Sequence, residues 1–316
     1  MAEYVRITDV SPRDGLQNEP GVISTEEKIE LVERLCETGV DEVEVTSFVS
    51  PKWVPQLGDA AEVLRGIESD STMLSALVPN EKGMESARAL LADGVVFDKV
   101  SVFTAASETF AKRNTNCTIA ESIERFRPVV AMAKSEGLIV RGYISCMVAC
   151  PFEGAIRPAR VADVAAALVE LGVDELDLGD TIGAGTPASI GLALAAVIER
   201  VGSGWLTAET MTLHLHDTFG QAAACVKEAL KIGVRSFDGS VAGLGGCPYA
   251  STPGKRAPGN ISTELLVATI HAMGYQTGVE LEALAEAAEF ANQIVSAART
   301  RAAVSGAGAG PAGATS

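Results

Sequence analysis

Residues 4–47 read YVRITDVSPRDGLQNEPGVISTEEKIELVERLCETGVDEVEVTS. Two β-branched runs, YVRITDV (4–10) and VDEVEVTS (40–47), flank a segment of helical period, and each run predicts a strand. Between them Ser24 and Glu27 have the spacing of a capping box ahead of Ile29, Val32 and Leu35, and Gly39 stands where a helix would end. Strand, helix, strand is the unit, and it repeats. Further strands are predicted at 72–78, 97–103, 138–145, 173–179, 210–216 and 234–241. Asn80 is placed to cap the helical stretch carrying Met84, Ala87 and Leu91, which stops at Gly94; Asp217 is placed to cap the one that stops at Gly233. Eight alternating units between residues 4 and 272 fit an α/β fold, a (β/α)8 TIM barrel, better than a doubly wound sheet, which usually needs fewer strands. The barrel takes residues 1–278. Residues 279–303 predict a C-terminal helical extension packed on it, and the Gly/Ala-rich stretch 304–316 predicts a disordered tail.

The 316 residues carry 25 Lys+Arg against 41 Asp+Glu, a formal net charge of −16. A general nucleic-acid binder is excluded, because such proteins gain affinity mainly by neutralising phosphates. A hydrophobic content of 47% places the chain among globular proteins. No apolar run approaches the roughly 20 residues of a membrane helix, and Met1–Arg6 lacks a basic region followed by an apolar stretch. A cytoplasmic protein without a membrane partner is the expectation. The six cysteines are scattered, and the nearest pair, Cys146 and Cys150, lacks the CxxC spacing of zinc or redox sites. They read as reduced and buried, with Cys247 the exception.

In a barrel of this kind the active site forms at the C-terminal ends of the strands. There the chain places SPRDGLQNE (11–19) after strand 1, EVTS (44–47) on strand 2, DLGDT (177–181) on strand 6, HLHD (214–217) on strand 7 and GLGGCPY (243–249) after strand 8. His214 and His216 alternate onto one face of a strand, about 7 Å apart along the backbone, a spacing that suits two ligands of one metal. Two satisfied core histidines are the plainer possibility. The oxygen donors Asp14 and Asn260 complete a mixed imidazole and oxygen set, which favours Mg²⁺ or Mn²⁺ over structural zinc. Arg13 offers a planar fork to a carboxylate, carbonyl or enolate, where a plainer role is a surface salt bridge. Glu44 sits inside a strand where an unpaired carboxylate is costly, so its partner is Arg13 or a metal-bound water. Cys247 follows glycines that permit positive φ and a close approach to a ligand.

At these residues the chain resembles the hydroxymethylglutaryl-CoA lyase family, metal-dependent barrel lyases related to homocitrate and isopropylmalate synthases. The resemblance covers residues 4–300 and is carried by SPRDGLQNE (11–19), EVTSFVSPKWVPQLGD (44–59), GDTIGAGTP (179–187), HLHDTFGQA (214–222) and SVAGLGGCPYA (240–250). It implies Asp14, His214, His216 and Asn260 as ligands of a divalent metal, Mg²⁺ or Mn²⁺. It implies Arg13, Gln17 and Ser47 as substrate-binding residues, and Arg13, Asp14, Glu44, Asp180, His214 and Cys247 as catalytic ones. The implied reaction is a carbon–carbon lyase step of leucine degradation, the retro-Claisen cleavage of 3-hydroxy-3-methylglutaryl-CoA to acetyl-CoA and acetoacetate. The implied partners are an acyl-CoA and a second copy of the chain in a dimer.

One stretch departs from the family pattern. Between Cys247 and Asn260 the loop PYASTPGKRAPG is longer than the family's usual spacing and brings in Lys255 and Arg256. With Arg13 and Lys52 these form the basic set that an anionic CoA ester needs on an acidic protein. A longer loop also fits a larger acyl group, so a 3-hydroxy-3-isohexenylglutaryl-CoA is a second candidate substrate. Three further activities compete with lyase chemistry: a Claisen-type synthase or aldolase of the same superfamily, a zinc hydrolase, whose histidines sit elsewhere along the chain, and a CoA-binding scaffold without activity.

Overall fold

Each β-branched run becomes a strand: β1 (Arg6–Asp9), β2 (Glu42–Ser47), β3 (Met73–Leu77), β4 (Lys99–Ala105), β5 (Ile139–Ser145), β6 (Glu175–Asp180), β7 (Met211–Leu215) and β8 (Ser236–Gly239). Successive strands pair in parallel, and β8 closes on β1 with Arg6 opposite Ser236, giving an eight-stranded barrel. The computed structural model describes residues 2–68, 71–246 and 259–304. Cys247, the inserted basic pair Lys255 and Arg256, and the tail from residue 305 lie outside the described residues.

Helices α1 (Thr25–Glu37), α2 (Ala60–Gly66), α3 (Glu81–Ala92), α4 (Glu108–Thr115), α5 (Ile119–Ser135), α6 (Pro158–Leu171), α7 (Pro187–Val201), α8 (Ala222–Ile232) and α9 (Thr263–Ala272) surround the barrel. The capping box forms as the spacing predicts. Ser24 Oγ accepts from Glu27 N at 3.2 Å, and Glu27 Oε2 accepts from Ser24 N at 2.8 Å. Asn80 caps α3 by accepting from Gly83 N at 3.0 Å. Asp217 corrects the sequence reading: the residue preceding α8 is Gln221, which gives no side-chain cap. Asp217 Oδ1 reaches across the intervening turn to take the first helical N–H, that of Ala222, at 2.9 Å. The fourth unit holds two helices, α4 and α5, where one was expected, and a short ribbon pairs Ala149–Cys150 with Gly154–Ala155 beyond β5. Both additions lie after strand C-termini, at the rim where loops carry function.

Val43 and Val45 on β2, Val100 and Val102 on β4, and Leu213 and Leu215 on β7 are buried in one apolar cluster with helix residues such as Leu31, Val32 and Met84. The barrel interior is different. Lys99 Nζ bonds Glu42 at 2.5 Å and Glu175 at 2.6 Å, and Arg141 meets Glu42 at 3.1 Å and Glu175 at 2.9 Å. Thr212 donates to Glu175 at 2.5 Å. A lattice of charges thus fills space that branched aliphatic side chains usually occupy in such barrels.

Helix α10 (Leu281–Val304) packs against α1 and the loop after β1. A Cβ on Gly21 would stand 1.9 Å from the carbonyl oxygen of Ala298, so only glycine lets the helix come this close. Arg299 completes the contact with two bonds to Glu19, at 2.8 and 2.9 Å.

Candidate active site

Beyond β1 the chain makes a single π-helical turn, Ser11–Gly15, in which Gly15 N bonds Val10 O at 3.1 Å. Such turns recur at functional sites because the extra residue re-aims side chains. Here the turn delivers two consecutive residues into one site. Arg13 Nε bonds Glu44 Oε2 at 2.5 Å, and Arg13 Nη1 bonds Asp14 Oδ1 at 2.8 Å. Glu44, fully buried on β2, takes a second bond from Ser101 Oγ at 2.9 Å. Of the two partners that the sequence allowed for Glu44, the structure places Arg13. Burial disfavours the Arg13 charge, but Glu44 and Asp14 outweigh it and push its pKa well above the ordinary range.

Across the rim, β7 presents His214 and, one residue past its end, His216, with ring centroids 5.3 Å apart. Candidate ligand atoms of Asp14, His214 and His216 all lie within 4.8 Å of one another. Asn260 joins them through a bridge to His216 and a bond from its Nδ2 to Asp14 Oδ2 at 2.8 Å. A second bond, Nδ2 to Leu244 O at 3.0 Å, fixes the amide so that Oδ1 is its acceptor end. Among the described residues Asn260 Oδ1 and His216 Nδ1 are buried without a hydrogen-bond partner. Unpaired buried acceptors are costly, and a cation is the species that satisfies both together with a carboxylate. The residues present therefore fit a divalent metal.

The protonation states of Asp14 and His216 agree with that use. Burial pushes the Asp14 carboxyl up, but Arg13, His214 and His216 outweigh it and bring it down to about 2. Burial and the neighbouring His214 lower His216 to about 4, leaving a neutral ring with a lone pair to give. Burial also lowers His214, but its bond to Asp238 and that residue's charge prevail and raise it. His214 Nδ1 lies 3.0 Å from Asp238 Oδ2, which puts the ring proton on Nδ1 and turns the Nε2 lone pair outward.

The rest of the predicted set is placed unevenly. Gln17 reaches Asp14 Oδ1 at 3.4 Å. Ser47 is buried and its Oγ accepts from Val49 N at 3.1 Å, so it shapes the loop after β2. Asp180 spends both carboxylate oxygens on backbone, accepting from Gly185 N at 2.7 Å and Ala184 N at 3.2 Å. Burial nevertheless raises it to about 6, against those two bonds. Gly243, Gly245 and Gly246 have φ of +61°, +100° and +131°, as the glycine-rich turn requires. Sequence reasoning missed Asp238, Ser101 and Tyr143. The Tyr143 ring lies 5.6 Å from the Arg13 guanidinium and meets His214 edge-on at 6.2 Å.

The family model described as HMGL-like matches residues 4–291. The chain belongs to the HMGL-like family. The cytoplasmic 3-hydroxy-3-methylglutaryl-CoA lyase of Danio rerio is 47% identical over 91% of this chain and 82% of its own length. The HMG-CoA lyase of Brucella melitensis superposes with a TM-score of 0.86 at 45% identity, covering 93% of this chain and all of that one. An Acinetobacter baumannii HMG-CoA lyase in complex with coenzyme A and 3-methylmalate superposes with a TM-score of 0.83 at 33% identity, over 96% of this chain and 95% of that one. These matches span the whole HMGL-like barrel and bear out the resemblance read from the five motifs. Among the described residues no helix is long and apolar enough to cross a membrane.

Proposed function

We propose that this HMGL-like chain is a hydroxymethylglutaryl-CoA lyase, which splits 3-hydroxy-3-methylglutaryl-CoA into acetyl-CoA and acetoacetate by a divalent-metal-dependent retro-Claisen reaction. The single observation that carries the reading is the convergence of Arg13, Asp14, His214, His216 and Asn260 on one rim, with two buried acceptors left for a cation. Asp14, His214, His216 and Asn260 would hold that cation, Mg²⁺ or Mn²⁺. A bound divalent ion supplies Lewis acidity to a chelating hydroxy acid and lowers the pKa of its hydroxyl.

The chain's own residues supply the rest. Two of Arg13's three nitrogens are committed to Glu44 and Asp14, and Nη2 makes no hydrogen bond among the described residues. A base of the site takes the C3 hydroxyl proton and the C3–O bond becomes the ketone carbonyl of acetoacetate. As the C2–C3 bond breaks, its electron pair moves onto the thioester, whose oxygen becomes an enolate. The fixed guanidinium meets that charge without reorganising. Cys247 is the residue we assign to deliver the proton to C2, and Gln17 and Ser47 are assigned to the substrate. Asp180 acts by holding the loop after β6 beside His214.

The match to lyases over most of the barrel favours this reading over a synthase, and the names of the relatives favour the methyl substrate over a longer 3-alkyl one. A cytoplasmic site of action agrees with the Danio rerio name, although mitochondrial relatives are equally similar. A homodimer and a place in leucine degradation complete the proposal; light scattering of the purified protein tests the first. The activity is tested by a coupled assay for acetyl-CoA and acetoacetate with and without Mg²⁺ or Mn²⁺. Metal-stimulated cleavage is expected. Folded protein that releases neither product, or that cleaves only longer analogues, overturns the assignment. Cys247→Ser should lower kcat by about two to four orders of magnitude, the usual share of a proton-transfer group, with KM little changed.

A further inference from the structure

We propose that Asp9 is a positioning residue for the candidate metal site: its carboxylate ties the turn after β1 to the loop after β8 and so sets Asp14 and Asn260 against each other. The inference rests on the reading of Asp14, His214, His216 and Asn260 as ligands. Asp9 closes β1 and is fully buried. Its Oδ1 accepts from Ser11 N at 2.9 Å and Ser11 Oγ at 2.5 Å. Its Oδ2 accepts from Val241 N at 3.0 Å and Thr263 Oγ1 at 2.6 Å. With two bonds on each oxygen the carboxylate has no lone pair to offer a substrate, so it works as a strut between three segments.

The segments that it joins lead to the ligands. Ser11 opens the π-helical turn that carries Asp14. Val241 opens the loop after β8, where Ala242 is held at φ +57°, a conformation that costs a residue with a Cβ and persists only when its surroundings enforce it. Asp9 grips the N–H before it, and both oxygens of Glu264 take Ala242 N at 3.2 Å. From that strained start the loop is thrown onto the site. A Cβ on Gly245 would fall 2.7 Å from Asn260 Nδ2 and 3.2 Å from Asp14 Oδ2. Thr263 lies three residues past Asn260, so the same carboxylate also anchors the segment that returns this side chain to Asp14.

The chemistry of the strut predicts which substitutions matter. Asparagine at position 9 would aim an NH₂ at a pair of donors, one of them a backbone N–H that cannot rotate away. Thr263→Val keeps the shape and removes one donor, whereas Thr263→Ser keeps it. Mn²⁺ affinity, read by the paramagnetic resonance of free Mn²⁺, and thermal unfolding are to be measured on the full chain for these three variants and for His216→Ala. We expect Thr263→Val to weaken Mn²⁺ binding several-fold and Asp9→Asn to weaken it about 10-fold or more, the usual scale for residues that support metal ligands. Thr263→Ser should bind like the parent. If Asp9→Asn does not fold, Thr263→Val decides. Unchanged Mn²⁺ affinity in folded Thr263→Val, with only a lower melting temperature, reduces Asp9 to a structural tie and overturns the proposal. Parent-like Mn²⁺ binding by His216→Ala overturns the ligand reading itself and the positioning role with it.

Discussion

Arg13 is held at two nitrogens before any substrate arrives, and this makes its two contributions separable. Lysine at position 13 still places a charge near buried Glu44 but loses the planar fork that bonds Glu44, Asp14 and a substrate oxygen together. Arg13→Lys should therefore cost about 10²–10³ in kcat, the effect of losing one oriented donor to a developing oxyanion, with modest loss of stability. Arg13→Met removes the charge as well and strands Glu44, so it should add about 3–5 kcal/mol of destabilisation in urea unfolding. Equal stability of the two variants would mean that Glu44 does not need its partner. Asp238 acts on the other side of the site through His214 Nδ1. Asp238→Ala should weaken Mn²⁺ binding about 10–100-fold by titration calorimetry, because the ring loses the acceptor that fixes its tautomer. Parent-like affinity would assign that orientation to packing alone.

At the scale of elements, the strands were legible because a (β/α)8 unit leaves a dense local signal. Both faces of each strand are covered, so β-branched runs such as VDEVEVTS stand out, and Ser24 with Glu27 marks the helix between them. The His214–His216 pair was legible because period-two alternation needs no tertiary knowledge. Asp238 was not, since an acid inside the predicted strand 234–241 has no identifiable partner until the barrel closes and brings it to His214. Asp9 was passed over because only the fold brings Val241 and Thr263 to it. A signal did exist for the charged interior: Glu42, Lys99, Arg141 and Glu175 each sit within a predicted strand, and a strand of a barrel has no solvent face on which to put them. The element most exposed to a test is the loop after β8. Gly245→Ala combines a φ of +100° with a Cβ 2.7 Å from Asn260 Nδ2, so the amide must move. Its Mn²⁺ affinity should fall together with the melting temperature, because alanine is strained at this φ, and the loss of affinity should persist well below the melting temperature, where the variant is folded. A variant that binds Mn²⁺ normally would show that the metal does not depend on where this loop holds Asn260.

The charged lattice gives the whole molecule a pH signature. Lys99 and Arg141 bridge carboxylates from β2 and β6 across the barrel, so strands distant in sequence are joined by buried ion pairs in place of aliphatic layers. Burial raises the Glu175 carboxyl, but Arg141 and Lys99 outweigh it and bring it down to about 2 from the ordinary value of 4.5. A folded-state pKa below the unfolded one adds stability that is complete above the unfolded pKa and is lost as pH falls toward the folded pKa. The contribution of Glu175 to stability should therefore be complete above about pH 4.5 and be lost progressively toward about pH 2. Lys99→Met removes one of the two cations that hold Glu175 ionised and leaves Glu42 and Glu175 to share Arg141. At pH 7 the variant should be destabilised by about 3–5 kcal/mol, the cost of breaking a buried pair at one end. Because Glu175 then takes up its proton more readily in the folded state, the variant loses less stability than the parent on acidification. Urea unfolding at about pH 7, 5 and 3 should show the gap between the two proteins narrowing as the pH falls. A gap that stays constant would mean that Lys99 contributes packing and no charge compensation, and that the acid sensitivity of the barrel arises elsewhere.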